Sequence, residues 1–233
     1  MINLRDVESI IYIIVFIIAY LIAETFSGWF RAYTAQQMGD DTPAHLGFLS
    51  FNPLVHIDPV GMFFLIVYGV GWGRSSPVNP YNIEEPHRTL KLLCVYFSDT
   101  FAHLVIAIVS FVCLLWGFGI SMMELAERII LNHEESLFLV ADYYPQSSSF
   151  TLNIAMVLVV MVYLSIILAV LNFLINGFRL LMVLFFQEVS GLWYIDLLVP
   201  ILLIMLFVNP LQQIVAHGII RMAYFLVNSI GVF

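Results

Sequence analysis

Six histidines, His45, His56, His87, His103, His133 and His217, are the side chains best suited to hold a metal, and none stands three or four residues from another. Two imidazoles reach one metal from a single helix only at such spacing. Asp99 and His103 are the best remaining pair, a carboxylate and an imidazole four residues apart in an apolar stretch. A hydrogen-bonded pair facing protein inside a membrane accounts for them better than a metal site does. Glu24 and Arg31 are charges seven residues apart near the end of another apolar run. Cys94 and Cys113 lie in apolar surroundings and read as small core hydrophobes, with no disulfide framework.

The elements that must position these groups are membrane helices. The 233 residues are 62% hydrophobic and only 10% charged, and mean hydropathy is +0.99, which excludes a soluble domain. A net charge of −8 gives no footprint for nucleic acid. The N-terminal run has no small-residue cleavage site after a short apolar core and reads as a retained anchor. About 20 apolar residues span the hydrocarbon. The pattern predicts spans over 10–30, 90–118 and 150–175, a short or partly inserted helix over 60–72, a short helix over 178–186, and a final pair over 195–208 and 212–227 broken by Asn209-Pro210. The 73–91 connection holds Arg74, Arg88 and Lys91, whereas 121–149 is acidic; the first is expected to face the cytoplasm or its organellar equivalent.

Between the first span and residue 83 the chain changes character. Gly39-Asp40-Asp41, Asn52-Pro53 and Asp58-Pro59 are turn signals, and "AHLGFLSF" between them has a strand-like pattern. The expected fold class is therefore an all-α polytopic membrane protein with small membrane-associated β-hairpin elements. Pro77 and Pro80 pin 71–83 as extended backbone. Irregular backbone at membrane depth must be covered by protein or line a wet cavity, which suggests a fold built around one.

Three stretches carry a family resemblance: Met38-Gly39-Asp40, then "NPLVHIDPVG" (Asn52 to Gly61), then Gly71-Trp72 with Pro77-Val78-Asn79-Pro80. In order and spacing they resemble the site-2 protease family of zinc intramembrane metalloproteases, where a Leu-Gly-Asp step precedes an Asn-Pro-Leu-x-His-x-Asp-Pro-x-Gly run and a Gly-Trp-x-x-x-x-Pro-Val-Asn-Pro stretch. Residues 32–88 match best within one expected membrane domain, 1–233, with a site-2-protease-like core. The resemblance implies that His56 and Asp58 hold the hairpin, with Asn79 and Pro80 in the second conserved stretch.

The resemblance also implies a His-Glu-x-x-His turn that holds zinc and supplies a general base. Counted back from Gly39-Asp40, that turn falls on Ser27-Gly28-Trp29-Phe30-Arg31. Arginine stays protonated and cannot be a ligand, and Gly28 has no side chain to move a proton. A second register, over residues 23–27, restores the acid at Glu24 but no histidine. The family's third ligand, an Asp before Gly, corresponds to Asn176-Gly177, and Ser98-Asp99 stand where it has Gly-Pro.

Ser27, Gly28, Arg31 and Asn176 therefore predict a degenerate site without metal or cofactor, in a chain that is not an enzyme. The expected role is a structural, assembly or regulatory subunit of a larger membrane complex. Its partners would be transmembrane helices of other integral membrane proteins and the lipid bilayer, with no nucleic acid, in a bacterial inner or organellar inner membrane. Gly28, with Ser27, offers a small-residue face for a partner helix, and Glu24, Arg31, Asp99 and His103 are the polar groups around it. The alternative is an intramembrane metalloprotease with an unconventional metal site. A transporter lacks both a charged pathway and internal two-fold similarity. Two roles are open to Arg31: a structural cation tying spans together through Asp99 or Glu24, or a side chain that snorkels to the headgroups.

Overall fold

The computed structural model describes residues 7–68, 71–119, 149–186, 214, 215, 217–222 and 225. The predicted pair over 195–208 and 212–227 and the acidic 121–149 connection lie wholly or mostly outside them. Three long helices dominate: α1 (Val7–Gln37), α5 (Arg88–Phe118) and α6 (Ser149–Phe186). Each is long and apolar enough to cross a membrane, over Ile13–Gln37, Arg88–Phe118 and Phe150–Phe185. Three short helices follow α1 in the connection to α5: α2 (Thr42–His45), α3 (Pro53–His56) and α4 (Pro59–Tyr68).

Length separates the long helices from the expectation. At 1.5 Å per residue, the 38 residues of α6 extend about 57 Å, well beyond a hydrocarbon core of roughly 30 Å. The predicted short helix over 178–186 is simply its continuation, because Gly177 weakens a helix without ending it. The core lies where the three helices meet. Tyr20, Phe111, Leu114, Leu115, Leu164 and Ile166 are its largest fully buried side chains. On α1, Ala19, Ala23, Ala32 and Ala35 are fully buried, and their small side chains let the neighbours approach closely. On its outer side Ile10, Ile14, Ile18 and Ile22 make an exposed apolar stripe four residues apart.

The expected β-hairpin is corrected: the described residues contain no strand, and "AHLGFLSF" runs from α2 into turns. The turn residues act as helix caps. Pro43 opens α2. Asn52 caps α3 by accepting from Leu54 N at 3.1 Å. Asp58 caps α4, its Oδ1 accepting from Val60 N at 2.8 Å and Gly61 N at 2.9 Å. An Asx side chain followed by Pro serves a helix N-terminus as well as a hairpin turn, and here the apolar run after Asp58 decides for helix. Of the short helix expected over 60–72, α4 supplies the part up to Tyr68, whereas residues 71–78 are irregular, ahead of and around Pro77.

Asp40 joins these pieces. Fully buried, it accepts from Thr42 N and Thr42 Oγ1 in its own turn and from Asn82 Nδ2 and Asn79 N across the connection. Its reach explains why a Gly-Asp step and a distant Asn-Pro step occur together. Pro80 closes the same segment through its carbonyl, which accepts from Arg88 NH2 at 3.1 Å. Arg88 also donates to Ile83 O, and Lys91 to Glu84 O.

Candidate functional site

The site forms where a polar stripe on α1 meets α5 and α6. Glu24, Ser27 and Arg31 recur at three- and four-residue steps, so helical geometry places them on one face. All three are buried. Against them residues 71–76 run as an irregular segment held from several sides. Tyr20 donates to Trp72 O at 2.8 Å, and Arg74 N donates to His56 O at 2.7 Å. Gly73 rests on the Glu24 carboxylate so closely that any Cβ there would strike it. The helices and this segment enclose a cavity of about 80 Å³.

At the cavity wall Arg31 is tied to protein through one guanidinium nitrogen, while its Nε has no partner among the described residues. Its NH1 lies 2.7 Å from Asp99 Oδ2 and 2.9 Å from Asn176 Oδ1. Asn176 returns its amide to both Asp99 oxygens, at 3.1 and 2.9 Å. One guanidinium, one carboxylate and one amide thus link α1, α5 and α6 in a closed set. Tyr96 adds its ring, 5.4 Å from the guanidinium carbon, within cation–π range. Of the two roles open to Arg31, this geometry is that of the internal tie, with the residue only 2% exposed. Its partner is Asp99; Glu24 lies apart, with Oε1 buried and unpartnered among the described residues.

These residues do not suit zinc. Arg31 carries a permanent proton and charge, the Asn176 amide is neutral, and both Asp99 oxygens are already taken. Nor do the described residues hold any group of three His, Cys, Asp or Glu side chains placed to share a metal ion.

The remaining predicted residues fall outside this set. Gly28 lines the cavity on one side, but the face expected to receive a partner helix is covered from within. The His56 imidazole sits directly against Gly28, where any Cβ would collide with Nδ1. His56 is fully buried, and its Nε2 lies 2.8 Å from Ser50 O. A carbonyl only accepts, so Nε2 carries the proton in the neutral ring. Burial pushes its pKa below the ordinary histidine value, with the Ser50 carbonyl offsetting part of the shift. Asp58 and Asn79 act in capping and in the Asp40 network, remote in role from the cavity. His103 is fully buried with neither ring nitrogen bonded among the described residues, so the expected Asp99–His103 hydrogen bond is absent. Arg31 has taken the Asp99 carboxylate instead. Residue-by-residue reading missed Ser76 and Arg179, which also line the cavity. Only the fold brings residues so far apart to Glu24.

Comparison with known proteins adds a relative and a correction. No protein-family model matches the chain, and no solved structure does. The chain is 31% identical over 109 residues to the Bacillus subtilis (strain 168) protein described as "Putative zinc metalloprotease YwhC". The match covers 46% of this chain and 49% of that protein, so the chain spans about half the length of the relative it matches. The expectation that this chain is not an enzyme is overturned, since the relative points to a protease. That expectation rested on four positions counted from short motifs, whereas the likeness extends over 109 residues. With helices long enough to cross a membrane, this likeness supports a site-2-protease-like relationship for the chain.

Proposed function

We propose that this membrane protein receives a membrane-embedded segment of another integral membrane protein at the cavity between α1, α5, α6 and residues 72–76. The observation that carries this reading is the cavity's construction. Three membrane-length helices form one side and the irregular segment 72–76, just before Pro77, forms the other. Irregular backbone at such depth is stable only against protein or a wet cavity, and it presents polar main-chain groups to an entering chain. In this reading the retained segment belongs to a partner in a larger membrane assembly. A second reading is favoured by the relative's description: the segment is a substrate and is cleaved. The residues at Arg31 do not suit zinc, so that reading requires an unconventional metal site.

The test places a photo-crosslinking amino acid at Ser75, which lines the cavity and is exposed, and at Ile18 on the outer stripe of α1 as a control. A protein adduct from Ser75, identified by mass spectrometry after mild detergent extraction, is the expected result. No protein adduct from Ser75, or equal capture of the same proteins from Ile18, would overturn the reading. Incubating the captured protein with the purified chain, with and without a chelator, separates the two versions. Chelator-sensitive fragments mark a substrate, and an intact adduct marks a retained partner.

A further inference from the structure

The chain beyond α3 goes down along α1 and comes back. His56 and Arg74 meet at one level: Arg74 N donates to His56 O at 2.7 Å, and the His56 ring lies against Gly28 of α1. Deeper along α1, Glu24 packs against Gly73, and deeper again Tyr20 donates to Trp72 O at 2.8 Å. Trp72, Gly73 and Arg74 thus run along α1 from Tyr20 to Gly28, towards Gln37. α4 runs beside this limb. Gly61 lies against the Trp72 main chain, and Gly71 against Leu65 and the Gly61 carbonyl, so closely that a Cβ on either glycine would collide. Leu65 is buried between them and the long helices.

Depth follows from the α1 span, Ile13–Gln37. About 20 helical residues cross a hydrocarbon core of roughly 30 Å. Every stretch of that length within the span includes Tyr20 and puts it about 12 residues or more, about 18 Å, from the boundary nearer Gln37. Seen from that boundary, the Trp72 carbonyl lies past the midplane, yet Arg74 is back beside His56 and exposed. α4, with 10 residues, is about 15 Å long, half of what a crossing needs. Val60, Phe63 and Phe64, at three- and four-residue steps, form one of its faces and are 56%, 58% and 38% exposed. Ile18 and Ile22 are exposed on α1 either side of Tyr20, so the α4 face continues the apolar outer surface of a span. We propose that α4 and residues 71–74 are the two limbs of a re-entrant element. It enters the bilayer from the side of Arg74, Arg88 and Lys91, passes the midplane and returns to that side, with Val60, Phe63 and Phe64 against lipid acyl chains. Gly61 and Gly71 let the limbs pack main chain to main chain, and Tyr20 serves a carbonyl of the irregular limb that no water reaches there. This topology does not depend on what the cavity receives.

The test uses the full chain with Cys94 and Cys113 replaced by Ala, reconstituted in phosphatidylcholine vesicles. Leu46→Cys and Glu84→Cys together place one thiol before the element and one after it, both at exposed positions. A membrane-impermeant maleimide is applied from outside, then a second of different mass after detergent lysis, and intact mass is read. Each molecule should carry two copies of one reagent, whichever way it inserted. The pair Glu84→Cys and Glu134→Cys, at opposite ends of the α5 span, should carry one of each. One of each on the Leu46 and Glu84 pair would make the element a crossing and overturn the proposal. A nitroxide at Phe63 then reads the face. Relaxation by oxygen as strong as at Ile18, with weak relaxation by a polar nickel chelate, is expected. Strong relaxation by the chelate would put the face in water. Protection from both reagents would put it under a partner protein or a second copy, and either result overturns the lipid contact.

Discussion

Two polar regions of this molecule are built on opposite principles. In the connection between α1 and α5, carboxylates and amides mostly bind main-chain donors close by. Asn52 caps α3, Asp58 caps α4, and Asp40 binds its own turn before reaching Asn79 and Asn82. Between the long helices, Arg31, Asp99 and Asn176 bind one another, across 68 to 145 residues of sequence. The reason is the solvent. Helix backbones inside a membrane satisfy themselves. A hydroxyl there can share its own helix's carbonyls, as Thr25, Thr34 and Ser98 do, but here the charged Arg31 finds its counter-charge, Asp99, on another helix. At the connection, short helices leave free N–H groups that side chains can serve. The cost of failure differs too. A lost cap exposes one backbone donor, whereas loss of Arg31 or Asp99 leaves a buried charge without its counter-charge.

That contrast ranks the substitutions. Arg31→Met should have the largest effect, about 3–5 kcal/mol, because it strands the Asp99 carboxylate. Adding Asp99→Leu should recover part of the loss, and thermal unfolding of both single variants and the double variant in detergent measures the coupling. Strictly additive losses would mean that the two regions do not differ as described.

Asp40→Ala comes next, at about 2–3 kcal/mol, since hydrogen bonds to a charged group are among the stronger ones. The same unfolding assay applies, with Asp40→Asn as a partial rescue, because an amide oxygen still accepts from Thr42 while its NH2 opposes Asn79 N–H. A loss equal to that of Arg31→Met would erase the distinction between local and long-range polar structure.

Gly28→Ala tests the seam between the regions, where α1 meets His56. A Cβ at that position collides with the imidazole, and the displacement should cost about 1–2 kcal/mol, within the usual range for overpacking. Pairing it with His56→Ala should remove most of the penalty, and a Gly28→Ala variant as stable as the parent would show that the ring moves freely.

The smallest expected effect is a pH dependence from His56. Its folded-state pKa is depressed by burial below the ordinary value of 6.5. The unfolded chain therefore takes up the proton first as pH falls. The stability tied to neutral His56 should be fully present above pH 6.5 and lost as pH falls through the folded pKa. Tm measured from pH 8 down to pH 5 should decline less steeply in His56→Asn than in the parent, and parallel curves would show that His56 does not contribute.

The sequence by itself determined the membrane character, the three long helices and the places where the connection turns. These follow from apolar run length and from Asx-Pro and Gly-Asp steps, both local properties of the chain. It could not tell whether those steps cap helices or close a hairpin, because the same side chains serve both, and the hairpin expected at "AHLGFLSF" is helix and turn instead. Within the candidate site, the sequence marked Arg31, Asp99 and Asn176 as unusual and left Arg31 with two possible directions. Only the tertiary structure chose the inward one, brought Asn176 to the same carboxylate, turned His56 onto Gly28 and set Ser76 and Arg179 beside Glu24. The physical reason is that a charged side chain in a membrane is placed by its partners on other helices, and helix packing, not neighbouring sequence, decides which partners come within reach.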